Sequence, residues 1–173
     1  MAALVPSPQQ RSANQKVIRD PAEYSAYTAA VNMRDPAQKA VALEAFIRNY
    51  PDSIVKVEAL EHAMAAYQQS GNTARLGETA RRVLAIQPNS VRALAIITYL
   101  GRTYGKDNND EVCANARKGL QAMPQFQGPE GISEVESHKL HAQMAAIFNG
   151  AAGFCALQAK DYKAARDYYF KAL

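Results

Sequence analysis

The chain has 173 residues, of which 48% are hydrophobic and 21% charged, with a formal net charge of +4. That is enough for one domain with a real core, in the composition range of ordinary globular proteins rather than disordered or collagen-like ones. Arg and Lys are spread along the chain and rarely cluster beyond Arg81-Arg82, which argues against nucleic acid as a partner, and no run approaches about 18 uninterrupted apolar residues, so no membrane span is expected.

The start, "MAALVPSPQQRSANQK", lacks a basic region, and its longest apolar run is "AALV". It reads as a disordered leader over residues 1–19, or as what remains of a processed N-terminus. A Pro/Gln-rich leader leans the reading towards an exported protein, with a cytoplasmic one the alternative. Helix starts then become legible. "DPAE" at Asp20 and "DPAQ" at Asp35 share one grammar: an Asp cap, a Pro in the first turn, and Glu23 or Gln38 three residues on. "SEVE" at Ser133 repeats the box, while Asp52 or Ser53, Asn72, Asn89 or Ser90, Asn109 and Asp161 are further caps. Eight helices follow, near 21–33, 36–49, 54–70, 73–86, 91–104, 110–122, 134–159 and 162–173. The third carries a Leu60, Ala63, Met64, Tyr67 stripe. The fifth, "VRALAIITYL", is apolar nearly all round and should be sandwiched between neighbours. The last places Tyr162, Ala165, Tyr169 and Ala172 on one face. No run alternates as a strand would. Short connectors such as "SGN" and "AKD" turn consecutive helices into antiparallel hairpins.

A period runs through the second helix of each pair. "AFIRNYP", "RVLAIQP" and "KGLQAMP" each set Phe46, Val83 or Gly119 five residues before a proline, with Ile47, Leu84 or Leu120 next. The prolines at 51, 88 and 124 are 37 and 36 residues apart (88 − 51 and 124 − 88). "KAL" at 171–173 supplies the Ala-Leu of the same phrase without its proline, so the last unit reads as cut short and the chain as part of a longer array. Helix pairs closed by a stopping Pro at this spacing resemble the tetratricopeptide repeat family over residues 20 to 173. Gly153, Tyr162, Ala165, Tyr169 and Ala172 carry the match in the last unit, and Tyr67, Gly71 and Pro88 in the second. With no Trp in the chain, Leu60 and Ile96 stand where the family pattern has its first aromatic.

The resemblance implies an all-α solenoid of antiparallel hairpins, a right-handed superhelix of about eight helices in units 20–51, 52–88, 89–124 and 133–173. It also implies a concave groove lined by the first helices that takes an extended peptide or a partner's helix. Lys, Asn and Arg grip a peptide's C-terminus in some relatives. Tyr24 and Thr28, Glu61 and Ala65, and Ile97 and Gly101 stand at those positions here, so that clamp is not expected. The groove reads instead as aromatic, acidic and amide. The contact candidates are Tyr24, Thr28, Glu58, Glu61, Gln68, Ile97 and Tyr104, with Gln69 beside them. Two departures stand out: the turn-rich "QFQGPEGI" after Pro124, and a seventh helix of about 26 residues, roughly 39 Å long. Its first three turns, "SEVESHKLHAQM", should project beyond the hairpin or cover the loop, and they offer a surface for self-association.

No catalytic chemistry is legible. His138, His141 and Glu134 share a helix face, but zinc needs three or four converging ligands and no second segment offers them. "KDNNDE" has Val112 where a calcium loop requires glycine, and reads as helix capping. Phosphate-binding Gly motifs and nucleophile contexts are missing, so neither enzyme activity, metal nor cofactor is expected. Cys113 and Cys155 fall on adjacent helices and read as two buried thiols, with a disulfide the alternative in an exported protein. The expectation is a binding scaffold; the runner-up is a spacer or oligomerisation module of a larger, envelope-associated protein.

Overall fold

The computed structural model describes residues 16–105, 109–129 and 131–173. Among the described residues are eight α-helices: α1 (Pro21–Val31), α2 (Pro36–Asn49), α3 (Lys56–Gln69), α4 (Thr73–Ile86), α5 (Val91–Tyr104), α6 (Asn109–Ala122), α7 (Glu134–Gln158) and α8 (Tyr162–Lys171). A single 3-10 turn, Met123–Gln125, follows α6, and there is no strand among the described residues. Most of the expected leader, residues 1–15, lies outside the described residues. Its last part does not behave as a leader: Lys16 pairs with Glu58 at 2.6 Å, and Ile18 packs against the core.

The capping grammar is what starts these helices. Asp20 accepts from the Ala22 N–H, Asp35 from Gln38, Asn72 from Arg75, Ser90 from Ala93 and Asp161 from Ala164. Each satisfies a first-turn donor that the helix itself leaves free. Ser133 and Glu136 complete the reciprocal box. Two expected caps differ. Neither Asp52 nor Ser53 caps α3, which starts after Val55 with no side-chain cap. Ser53 Oγ instead accepts from the Val55 N–H at 3.2 Å, tightening a turn that carries Val55 into the core, where it is 7% exposed. Asn109 is the first residue of α6 rather than its cap, and the preceding Lys106–Asn108 part of "KDNNDE" lies outside the described residues.

Two hairpin turns are the same object. After α3, Gly71 has φ +73°, its N–H donates to Gln68 O, and the Asn72 N–H donates to Tyr67 O. After α7, Lys160 has φ +61°, its N–H donates to Leu157 O, and the Asp161 N–H donates to Ala156 O. Both are Schellman closures, and only the first has the glycine that a left-handed residue favours.

Packing is sequential: each helix lies against the next, and α1 also meets α3 while α5 meets α7. The core follows this order as a strip. Its largest part runs from Ala30 through Leu43, Phe46, Leu60 and Met64 to Ile97. The next joins Val91, Leu94 and Ala95 of α5 to Phe148 of α7, and the third joins Val112 and Ala116 of α6 to Ala151. The expected stripe on α3 is buried throughout, with Ala63 and Met64 fully covered. On α5 six of fourteen residues are buried, between α4, α6 and α7. Glycine sets two contacts. A Cβ on Gly119 would stand 2.2 Å from the Phe148 ring, and one on Gly153 would stand 2.9 Å from Tyr169.

Cys113 of α6 and Cys155 of α7 form a disulfide across 42 residues of chain, Cα to Cα 5.9 Å. This corrects the reading of two buried thiols: antiparallel packing brings the two helices' cysteines face to face. Helix α7, by length and composition, could cross a membrane, with 25 residues and a mean hydropathy of 1.2 in its most apolar window. His141, Gln143 and Asn149 interrupt its apolar residues, so no long unbroken run marks it in the sequence. Here its second half is packed against α5, α6 and α8. Its first turns cover the preceding loop: His141 sits against Phe126 at 4.9 Å, and Ser137 and Leu140 approach Gly128.

Candidate binding groove

Helices α1, α3 and α5 each have one side that the core covers only in part, Tyr27 and Ile96 packing at its edge. On α1 that side holds Tyr24, 58% exposed, and half-buried Tyr27 and Thr28. On α3 it holds half-buried Glu58, Glu61, His62 and Ala65, with Gln68 exposed at the end. On α5, Arg92 and Ile96 are half-buried and Tyr99 is 52% exposed. These positions recur at steps of three and four residues, so each set forms one helical face.

Charges on this surface are coupled. Burial pushes the Glu61 carboxyl up, with Arg92 opposing. Burial lowers His62, and the positive charges of Lys39 and Arg92 lower it further. Burial also raises the Tyr27 phenol, helped by the negative charge of Glu58. Tyr27 stacks at a tilt on Phe46, 5.3 Å between centroids, and stands 6.4 Å from the His62 ring. Glu58 is held through one oxygen by Lys16; its other oxygen is buried without a partner.

Next to Glu61 and Arg92 opens a cavity of about 380 Å³. Its walls are the α4–α5 connector, the start of α5, the end of α6 and the loop that follows. Five amide side chains line it: Gln87, Asn89, Gln121, Gln125 and Gln127. Lys118 and Phe126 complete its character. Such a wall offers both donors and acceptors, two cations, one carboxylate and one ring, which suits recognition of a polar chain.

Of the seven expected contact residues, Tyr24, Thr28, Glu58, Glu61 and Gln68 lie on α1 and α3 as described. Ile97 does not serve: it is 5% exposed and belongs to the core. Ile97 and Tyr104 border a separate cavity of about 320 Å³, with Gly77 and Arg81 of α4. The error in register has a simple origin. The proline period belongs to the second helices, whereas α1, α3 and α5 begin at Pro21, Lys56 and Val91, 35 residues apart (56 − 21 and 91 − 56). Counting 35 from Glu61 gives Ile96, and one residue further turns the side chain by about 100° into the core. The spacing of helix starts reaches Ile96 from Glu61 (61 + 35) but not Arg92 or Tyr99, whose equivalents on α3 are Val57 and the buried Met64. The loop residues Gln125 to Gly128 carried no such signal.

His138 and Glu134 stand 3.9 Å apart on the exposed start of α7, while His141 is turned to Phe126. Among the described residues no three metal-binding side chains are grouped. No protein-family model matches the chain, and no curated protein matches it. The class that stands is an all-helical protein in which successive helices pack as neighbours.

Proposed function

We propose that this chain is a non-enzymatic interaction scaffold of the tetratricopeptide type, holding an extended peptide or protein partner along the outward side of its first helices. One observation carries the reading: α1, α3 and α5 leave a run of aromatic, charged and amide side chains out of the core, from Tyr24 through Glu58, Glu61 and Arg92 to Tyr99. Tyrosine gives contact area at little entropic cost, and the mixed charges supply direction. The proline-closed pairs and the glycine seats beneath Phe148 and Tyr169 support the family resemblance. The disulfide supports the lean towards an exported protein, because such bonds persist in oxidising compartments.

The test is affinity capture from the source lysate with the native chain and with a Tyr24→Ala, Gln68→Ala, Tyr99→Ala variant. Circular dichroism checks that the variant is folded. Loss of a defined partner from the variant is expected; an identical set of captured proteins would sink the reading. A second reading, a spacer packed against further modules, is favoured by α8, where Tyr162 and Phe170 are 66% and 68% exposed. In that case blocking α8, not the first helices, changes the assembly. Self-association through α7 belongs to this alternative, with Val135 63% exposed in its first turn.

A further inference from the structure

We infer that the cavity between Glu61, the start of α5 and the loop after α6 is a subsite for an acidic stretch of an extended peptide. This rests on the groove reading, and it adds a place and a chemistry to it. Glu61 and Arg92 belong both to the first-helix surface and to the cavity wall, so a chain lying along one continues into the other.

Charge is the first argument. Arg92 and Lys118 face the cavity against a single carboxylate, Glu61. Neither cation is within ion-pair distance of a carboxylate among the described residues, whereas Lys16, Arg75, Arg82 and Arg166 all have such partners. Two half-buried cations against one carboxylate leave a net positive wall that favours a ligand carboxylate. The amides are the second argument. A peptide main chain presents one N–H and one C=O per residue, and amide side chains can answer both. The five amides come from three separate segments: the α4–α5 connector, the end of α6 and the loop after it. Phe126, fixed by its contact with His141, supplies the apolar patch that such pockets use for packing.

The test is a titration of the full isotope-labelled chain by nuclear magnetic resonance. The probes are capped seven-residue alanine peptides carrying two aspartates, two asparagines or two lysines, and a cello-oligosaccharide. The aspartate peptide is expected to shift the side-chain amide signals of Gln87, Asn89, Gln121, Gln125 and Gln127 while the other probes do not. An Arg92→Glu, Lys118→Glu variant should bind the aspartate peptide at least tenfold more weakly and respond to the lysine peptide instead. If that variant loses spectral dispersion, Arg92→Gln with Lys118→Gln carries the same expectation of weakened aspartate binding. Equal response to the asparagine peptide, response to the sugar alone, or no response at millimolar peptide would overturn the subsite. Shifts confined to Tyr24, His62 and Gln68 would overturn the subsite while leaving the groove reading standing.

Discussion

Gly119 and Gly150 are both glycines inside helices, yet the structure gives them opposite fates. At Gly119 an added methyl would meet the fully buried Phe148 ring at 2.2 Å, and the ring has no free space to leave into. Gly119→Ala is expected to destabilise by roughly 1–2 kcal/mol, overpacking exceeding the gain in helix propensity. At Gly150 the nearest atom is the tip of Arg102, 3.4 Å away and flexible. Gly150→Ala should raise stability by up to about 1 kcal/mol. Urea midpoints of the two variants decide this, and like signs would refute the packing account. Glu61 gives a residue-scale prediction in pH. Its carboxyl is raised in the fold, so its contribution is complete below the ordinary value of 4.5 and is lost as pH rises through the raised one. Glu61→Gln should therefore be more stable than the native chain at pH 7, with the gap closing as the pH is lowered towards 4.5. His62 acts in the other sense: its depressed value costs stability as pH falls below the ordinary 6.5. Thermal melts across pH 4–8 read both, and a gap independent of pH would remove Glu61 from the explanation.

At the scale of the element, helix ends are decided by a few consecutive residues. That is why Asp35, Asn72, Ser133 and Asp161 were legible as caps in the sequence and why the helix limits followed. Where two elements must agree, the sequence was less informative. Ile97 was placed in the groove because the period of the second helices was carried over to the first. Connector lengths differ between the two sets, and only the fold shows by how much. The cavity was not legible either, since Gln87, Gln121 and Gln127 are unremarkable one at a time and meet only through packing. The paired turns after α3 and α7 offer a test of local strain. Lys160 holds a left-handed conformation that costs an L-residue with a side chain roughly 1–2 kcal/mol, and Gly71 makes the same turn without it. Lys160→Gly should gain up to about 1 kcal/mol after the added chain entropy is counted, and Gly71→Ala should lose about the same. Denaturation of the two single variants measures this; a loss in both would show that the turns are not equivalent.

Across the described residues, helices pack chiefly on their neighbours in the chain, so stability passes from one to the next. On the proposed solenoid reading, stability is a sum of unit terms and interface terms, so weakening one joint need not unfold the rest. The joint between α6 and α7 is the unusual one. Eleven residues, 123–133, separate these helices, against four between α4 and α5. A longer connector costs more entropy to close, and the Cys113–Cys155 bond offsets that cost by tying the two helices directly. Removing it with Cys113→Ser and Cys155→Ser together should cost about 2–4 kcal/mol. The loss should be local: amide exchange should quicken through α7 and α8 while α3 and α4 keep their protection. Because Gln121 to Gly128 border both this joint and the polar cavity, the same variant should loosen the cavity's far wall and leave Tyr24 and Glu58 undisturbed. Exchange that quickened evenly from α1 to α8 would mean that the chain folds around one indivisible centre, and the neighbour-by-neighbour account of its stability would have to be given up.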